Sequence, residues 1–276
     1  MGWFEAVVLG VVQGLTEFLP VSSSAHLRIV GALAGWRDPG AAFTAIIQIG
    51  TELAVLVYFA RDIGRIVLAW LLSLVGRRKS DADARMGWLI ILGSIPIVVL
   101  GLVFQDRIET TFRDLRIVAI ALAGFSLVLY WADRVGVKRG QLKDLTAGDG
   151  VLFGLAQALA LIPGVSRSGG TITAGLFIGY TREAAARYSF LLAVPAVLGS
   201  GVFQAYQALT GKTEGPPVDW GPTILATVLA FGVGLTVIAW LLRYLDRGSF
   251  TPFVVYRVVL GLLVLALVGS GVLAPT

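Results

Sequence analysis

The chain consists largely of long apolar runs separated by short polar segments. Six of these runs approach the length of about 20 residues that a helix needs to cross a bilayer. They are residues 41–60, 88–104, 116–132, 188–209, 222–242 and 253–273. A seventh run, 66–75, is too short to span, and it predicts an interfacial helix or an extension of the span before it.

Two further segments, 3–35 and 150–181, are apolar at both ends but polar and rich in Gly and Pro in the middle. Pro20 and Pro163 are expected to stop a helix, because proline removes a backbone donor and restricts the residue before it. Non-helical backbone at membrane depth is tolerated only where protein buries it or a wet cavity lines it. Each segment is therefore predicted to be a re-entrant hairpin of helix, break and helix.

The two broken segments resemble each other and align without a gap at a spacing of 144 residues. The aligned pairs are Gln13 with Gln157, Ser22 with Ser166, and Ser24 with Ser168. Each half of the chain then holds one hairpin and three spans, and because three is odd, the second half is inverted relative to the first. This pattern predicts an all-α integral membrane protein with an inverted-topology repeat, whose two hairpin tips meet near the midplane and build one site. It forms a single membrane domain over 1–276, with repeats at about 1–132 and about 145–276.

The composition agrees with a membrane protein. The chain is 57% hydrophobic and 14% charged, whereas about a quarter of the residues of a soluble domain are charged. It contains no cysteine, which excludes disulfides and thiolate metal sites. The net charge of +5 is better explained by basic cytoplasmic loops than by a nucleic-acid partner.

The loop charges predict the orientation. Six Lys or Arg lie in 61–85, four in 133–144 and two in 243–247. The positive-inside rule then places these loops in the cytoplasm, and both termini and the entrance of the first hairpin outside. The three arginines of 105–116 weaken the bias, although three acids balance them.

The first polar motif carries an acid, hydroxyls and the only histidine of the chain. Glu17 within a membrane segment is costly, so it is a candidate functional residue, with a structural ion pair to an arginine as the alternative. Gln13 shares its helix face. Ser22 and Ser23 follow the break, where a serine caps the next helix or acts as a nucleophile. His26 is then a candidate base or proton carrier.

The second motif predicts an anion site. Gly164, Ser166 and Ser168 belong to a turn of small residues that opens a helix, where free N–H groups and the helix dipole attract an anion. Arg167 adds a planar fork that matches phosphate, or it neutralises Glu17. Glu52, in the span 41–60, lines the site or pairs with Arg167, and neither alternative is favoured.

Acid, hydroxyl, imidazole and guanidinium around an anion cradle are suited to phosphoryl chemistry. A water-soluble phosphate ester would not need a site at membrane depth. The sequence therefore points to a lipid phosphate or diphosphate as the partner, within the lipid bilayer.

The two motifs resemble those of the undecaprenyl-diphosphatase family, also called bacitracin-resistance proteins. The resemblance is carried by QGLTEFLPVSSSAH, from Gln13 to His26, and by PGVSRSGGT, from Pro163 to Thr171. It extends over the whole chain in length, motif spacing and spans. The acidic motif of the family is (Glu/Gln)-x-x-x-Glu, and this chain has the Gln version, which puts a two-carboxylate metal site in doubt.

The resemblance implies a hydrolase of the bacterial inner membrane with a site open to the periplasmic face. It would convert undecaprenyl diphosphate to undecaprenyl phosphate and inorganic phosphate, recycling the lipid carrier for peptidoglycan and conferring bacitracin resistance. It also implies a divalent cation, Mg²⁺ or Ca²⁺. The implied catalytic residues are Glu17, Ser23, His26 and Arg167. The implied phosphate-binding residues are Ser22, Gly164, Ser166, Arg167, Ser168 and Thr171, and the implied metal ligands are Glu17 and Gln13.

Several alternatives stay open at this stage. The attacking group is Ser23, His26 or water, and a homodimer is neither required nor excluded. Inverted repeats with broken helices are also typical of transporters, so a flippase for a lipid phosphate is the main rival. A phosphatase acting on shorter prenyl diphosphates is the second rival.

Overall fold

The computed structural model describes residues 1–77, 81–109, 111–212 and 216–275. Its regular elements are α-helices, together with single 3₁₀ turns at Thr111–Arg113, Leu142–Asp144 and Leu159–Leu161. The α-helices are α1 (Trp3–Thr16), α2 (Ser23–Leu33), α3 (Gly40–Tyr58), α4 (Ala60–Leu74), α5 (Ala82–Val103), α6 (Gln105–Glu109), α7 (Leu115–Val135), α8 (Ala147–Ala158), α9 (Arg167–Phe177), α10 (Arg182–Leu209), α11 (Trp220–Leu245) and α12 (Thr251–Gly269). The prediction of an all-α fold is confirmed. Residues 78–80 of the predicted basic loop lie outside the described ranges.

Within the described ranges, six helices are long and apolar enough to cross a membrane. They are α3, α5, α7, α10, α11 and α12, which confirms the six predicted runs. Both α5 and α10 begin six residues before their apolar runs, at Ala82 and Arg182. The reason is local, because Asp81 and Thr181 accept hydrogen bonds from the first free backbone N–H groups and so cap charged first turns.

The two broken segments form pairs of short helices, α1 with α2 and α8 with α9. None of these four reaches the length of a span. The short run at 66–75 belongs to α4, a helix separate from α3 that packs against α5.

Helix packing pairs the two halves. α1 packs against α11 of the second half, and α8 packs against α5 of the first half. Gly10 and Gly154 lie 144 residues apart, and a Cβ at either would come within 2.6 Å of a backbone oxygen of the partner helix, at Ala226 or Gly93 respectively. These close approaches are typical of small residues at membrane helix interfaces. The repeat boundaries at about 1–132 and about 145–276 stay a prediction.

Candidate functional site

The first break, residues 17–22, follows α1 and is buried. Phe18 and Val21 pack into the core, while the backbone turns at Pro20. Ser22 then has a φ of 73° and precedes α2. A non-glycine residue adopts such a conformation at a cost, so surrounding contacts must hold it there.

The second break, residues 159–166, repeats this geometry. Gly164 has a φ of 103° and lies against the backbone of α7 at Val118, where a Cβ would clash. Ser166 has a φ of 73°, and its Oγ caps α9 by accepting a bond from Gly169 N at 3.1 Å. The hydroxyl of Ser166 is therefore a helix cap in this structure.

The two breaks contact each other directly. Gly164 N donates to Ser22 Oγ at 3.1 Å. Ser168 Oγ donates to Leu19 O at 3.1 Å and lies 3.2 Å from Ser166 Oγ. The tips of the two hairpins thus form one unit, with Ser22 satisfying a backbone donor of the opposite hairpin.

Arg257 of α12 joins both breaks from behind and is fully buried. Its Nη1 donates to Pro20 O at 2.8 Å, and its Nη2 donates to Gly164 O at 2.8 Å and to Val165 O at 3.1 Å. Its Nε donates to Leu122 O at 3.2 Å. One guanidinium therefore donates to backbone carbonyls that the broken helices leave without a donor. Lipid chains could not satisfy these carbonyls, because they have no hydrogen-bond donors.

Arg167 is the cation of the site. Its Nη2 lies 2.7 Å from Glu17 Oε1 and 3.0 Å from Glu52 Oε1. Both carboxylates are buried, and the arginine side chain is 11% exposed and lines a cavity. The ion pair between Glu17 and Arg167, one of the alternatives for these residues, is present. Glu52 also pairs with Arg167, which is one of the two alternatives given for it.

Ser23 is held by the acid of the first motif. Its Oγ donates to Glu17 Oε2 at 2.5 Å, and Gln13 Nε2 donates to the same oxygen at 2.8 Å. Ser23 also lines the cavity. The carboxylate of Glu17, rather than an imidazole, thus accepts the hydrogen bond of this hydroxyl.

His26 is turned away from Ser23. Its Nδ1 lies 2.7 Å from Ser22 O, and its Nε2 lies 2.7 Å from the hydroxyl of Tyr256. A carbonyl only accepts, so Nδ1 carries the proton, and in the neutral ring Nε2 accepts from Tyr256. In this geometry the imidazole of His26 hydrogen-bonds to the carbonyl of Ser22. The predicted proton transfer with Ser23 would require the imidazole ring to turn.

A cavity of about 510 Å³ opens in front of the breaks. Its floor contains Glu17, Ser22, Ser23, Ser166 and Arg167. The other predicted site residues do not line it but support the floor from behind; they are Gln13, His26, Gly164, Ser168 and Thr171. The predicted roles of Gly164, Ser168 and Thr171 in phosphate binding, of His26 in catalysis and of Gln13 in metal binding stay predictions.

Thr171 is one of the predicted site residues that lie behind the cavity floor. Its Oγ1 donates to Arg167 O at 2.8 Å and lies 2.5 Å from Ser189 Oγ, inside the protein. It is fully buried and braces the first turn of α9. A phosphate in the cavity would meet Arg167, and Thr171 would act through it.

The cavity wall between α5 and α10 is apolar and reaches the outer surface of the helices. Val98, Leu102 and Phe203 line the cavity and are also 43–63% exposed. Gly101 and Gly199 line it between them, and a Cβ at Gly199 would meet nothing within 4 Å. We call this opening the lateral window.

The rim of the cavity is charged at Arg113. Its guanidinium pairs with both carboxylate oxygens of Asp38, with Nε at 2.6 Å from Oδ2. Arg28 Nε lies 3.6 Å from the same Asp38 Oδ2. Burial disfavours the charge of Asp38, but the Arg113 hydrogen bond and charge outweigh it and hold the pKa of that carboxyl below its usual range.

Sequence reasoning missed Arg257, Tyr256 and the rim arginine. Arg257 interrupts the apolar run 253–273, and an ionisable residue inside a span is a signal that would have found it. Tyr256 gives no such signal, because tyrosine is common in membrane helices near an interface.

Comparison with known proteins extends over nearly the whole chain. A family model described as "Bacitracin resistance protein BacA" matches residues 6–263. "Undecaprenyl-diphosphatase 3" of Frankia alni is 60% identical over 290 residues, covering 99% of this chain and 97% of that protein. "Undecaprenyl-diphosphatase 2" of Agrobacterium fabrum is 61% identical over 276 residues, covering 99% and 98%. "Undecaprenyl-diphosphatase 2" of Streptomyces coelicolor is 57% identical over 288 residues, covering 100% of this chain and 98% of that protein.

Proposed function

We propose an activity from one premise: this chain belongs to the bacitracin resistance protein BacA family. The proposed activity is that of an undecaprenyl-diphosphatase, which hydrolyses undecaprenyl diphosphate to undecaprenyl phosphate and inorganic phosphate. This reaction returns the lipid carrier to peptidoglycan synthesis. It also counters bacitracin, which sequesters the diphosphate.

The observation that carries the proposal is a cavity with hydroxyls and an arginine on its floor and an apolar side opening. Arg167 and hydroxyls of both breaks form the floor, and the lateral window lies between α5 and α10. A diphosphate on the floor would place its prenyl chain in the window, where apolar side chains meet the acyl chains of the bilayer. A soluble phosphate ester would have no use for that window.

The proposed membrane is the bacterial inner membrane, with the cavity open to its outer face. Support comes from the rim, because Gln105 and Arg113 belong to a connection that the loop charges place outside. A diphosphate delivered at the outer face would then reach the floor past a cationic rim, which steers anions.

The proposed nucleophile is Ser23, with Glu17 as its base. Ser23 Oγ would attack the terminal phosphorus while Glu17 Oε2 takes its proton, and the bond to the bridging oxygen would break to release undecaprenyl phosphate. Water would then hydrolyse the phosphoserine and release inorganic phosphate. Arg167 would neutralise the equatorial oxygens, a role in which a preorganised cation stabilises the transition state.

The residues present also fit a divalent cation of the Mg²⁺ or Ca²⁺ type. Two carboxylates, Glu17 and Glu52, meet at one guanidinium nitrogen, and Gln13 Oε1 is buried without a hydrogen-bond partner among the described residues. These hard cations take oxygen ligands, and Mg²⁺ uses one or two carboxylates together with substrate phosphates. A bound cation would supply charge neutralisation at the diphosphate.

Substitution of Arg167 tests the assignment of the floor. Arg167→Ala is expected to lower phosphate release by about 100-fold or more, because it removes a charged donor from a water-poor site. Arg187→Ala is the control, since Arg187 pairs with Glu183 at 2.7 Å and does not line the cavity. Phosphate release by Arg167→Ala at the wild-type rate would contradict the phosphate-binding floor.

Lipid transport is the second candidate function. The crossed packing of α1 with α11 and of α8 with α5 favours it, because two equivalent halves are what alternating access requires. In proteoliposomes, transport would move a labelled undecaprenyl phosphate between leaflets with its head group intact. Hydrolysis would release phosphate from the diphosphate, whichever leaflet the product later occupies.

A further inference from the structure

Two arginines converge on one carboxylate at the rim of the cavity. Arg113 Nε lies 2.6 Å from Asp38 Oδ2, and Arg28 Nε lies 3.6 Å from the same oxygen. Arg113 Nη2 also donates to Asp38 Oδ1, so its planar fork binds the carboxylate through both oxygens. A guanidinium binds a phosphate group through the same two-oxygen geometry. The rim therefore contains an anion site that an internal carboxylate occupies in this structure.

The charges at the rim are unequal. Burial raises the pKa of Asp38, but the hydrogen bond and charge of Arg113 outweigh it and hold that pKa below its usual range, so the carboxylate is ionised. Among the described ion pairs, those of Arg28 and Arg113 both end on Asp38, so two positive charges face one negative charge. Both arginine side chains are only 11–16% exposed, which limits the screening of their charge by salt. The site thus retains a net attraction for an anion.

The rim is separate from the cavity floor. α3 begins at Gly40 at the rim and reaches Glu52, which pairs with Arg167 of the floor. At a rise of 1.5 Å per residue, this length of helix separates the two points by about 18 Å. Thr44 and Gln48 of α3 line the cavity between them. A diphosphate, whose two phosphates share one oxygen, is too short to occupy both places.

We propose that Arg113 and Arg28 form a second anion site, which takes inorganic phosphate on its way out of the cavity and in which Asp38 competes with it. The proposal rests on the proposed function, because hydrolysis releases phosphate at the floor while the prenyl chain occupies the lateral window. The rim is then the polar exit. Phosphate displaces the carboxylate from the arginine fork, and return of the carboxylate displaces the phosphate, so the product does not stay bound.

Removal of the competing charge tests this proposal. Asp38→Asn removes the negative charge but keeps an oxygen for Gly40 N, which donates to Asp38 Oδ1 at 3.0 Å. It is expected to tighten the binding of inorganic phosphate by about tenfold or more, because the arginine fork loses its charged partner. Addition of Arg113→Gln is expected to abolish this gain. Equilibrium dialysis of radiolabelled phosphate against the full-length protein in detergent measures both, with Arg167→Ala present throughout to remove the floor.

Asp114→Asn is the matched control for the rim. Asp114 accepts from Arg116 N at 2.8 Å and pairs with Arg116 Nη2 at 2.6 Å, so it also combines a backbone donor with an arginine. It follows Arg113 in the sequence but does not line the cavity. Its substitution is expected to leave phosphate affinity unchanged, and thermal unfolding in detergent checks that every variant is folded.

A second measurement keeps the test decisive if Asp38→Asn does not fold. Arg113→Gln alone is expected to raise the inhibition constant of inorganic phosphate in turnover assays by about threefold or more. An unchanged inhibition constant in that variant, unchanged phosphate affinity in Asp38→Asn, or a gain that survives Arg113→Gln would overturn the proposal.

Two further outcomes separate the rim from the lipid. A changed KM for undecaprenyl diphosphate without a change in phosphate affinity would assign the rim to the lipid head group and would also overturn the proposal. Dialysis needs no turnover, so a protein that binds phosphate through Arg113 but does not hydrolyse the lipid would refute the proposed function while supporting the anion site.

Discussion

Ser22 and Ser166 have the same backbone φ of 73° and lie 144 residues apart, each at the last position of a break. Both precede a short helix of 11 residues. Their hydroxyls differ in use, because Ser22 Oγ accepts from Gly164 N of the opposite hairpin whereas Ser166 Oγ caps its own helix. The two copies of the repeat thus share the same backbone turn, whereas the hydroxyl of Ser22 also bonds to the other half of the chain.

This relationship predicts unequal costs for two substitutions of Ser22. Ser22→Gly relieves a positive φ but loses the bond from Gly164, so the two effects partly cancel. Ser22→Ala loses the bond and keeps the strain, and it is expected to destabilise the protein by about 1–2 kcal/mol more than Ser22→Gly. Thermal unfolding in detergent measures the difference, and equal melting temperatures would contradict a strained Ser22.

Arg257 is predicted to stabilise the site rather than react. Arg257→Met leaves buried carbonyls of both breaks without donors and is expected to cost more than about 3 kcal/mol of stability. Arg257→Lys retains the charge but not the planar fork, so it recovers only part of the loss. Arg243→Met, at an exposed arginine of α11, is the control for unfolding experiments. An Arg257→Met protein as stable as this control would exclude the bracing role.

Ser23 is predicted to be phosphorylated during turnover. Ser23→Ala is expected to lower phosphate release by about 100-fold or more, because the group held on Glu17 is lost. Ser126→Ala is the control, since the hydrogen bonds of Ser126 within the described ranges go to the backbone of its own helix at Leu122 and Ala123. Acid quenching with labelled substrate should trap phosphate on Ser23, and full activity of Ser23→Ala would instead assign the attack to water.

The lateral window is predicted to select for long prenyl chains. A Cβ at Gly199 would meet no atom within 4 Å, and Gly199→Leu places an apolar side chain in the window. It is expected to weaken undecaprenyl diphosphate hydrolysis roughly tenfold, since about 1–2 kcal/mol of apolar contact is displaced. A short prenyl diphosphate should be affected less.

Gly232→Leu provides the comparison for this window, because it also enters open space but lies on α11 away from the cavity. Rates over a chain-length series measure the effect in both variants. An equal loss for short and long substrates in Gly199→Leu would place the prenyl chain elsewhere.

Much of this arrangement follows from local sequence. The apolar runs predict the six long helices, and Pro20 and Pro163, each within a polar segment, predict the breaks that follow α1 and α8. Proline alone does not decide this, because Pro96 and Pro195 lie inside α5 and α10. The ion pair between Glu17 and Arg167 was one of two stated alternatives, since a buried acid needs a cation.

The rest depends on how helices rotate against each other. Glu52 and Arg257 reach the breaks because α3 and α12 turn these positions inward, and the sequence does not encode that rotation locally. The sequence makes His26 a candidate base or proton carrier, but in the structure its ring bonds to Ser22 O and to the hydroxyl of Tyr256. Contacts between distant elements decided each of these positions.

The central claim is that the cavity floor hydrolyses a lipid diphosphate. Its most direct test is phosphate release from undecaprenyl diphosphate by the purified protein in detergent micelles, where movement between leaflets does not exist. The account predicts one inorganic phosphate and one undecaprenyl phosphate for each diphosphate consumed, with loss of the reaction in Arg167→Ala. Binding of the lipid without phosphate release would contradict it and would favour transport.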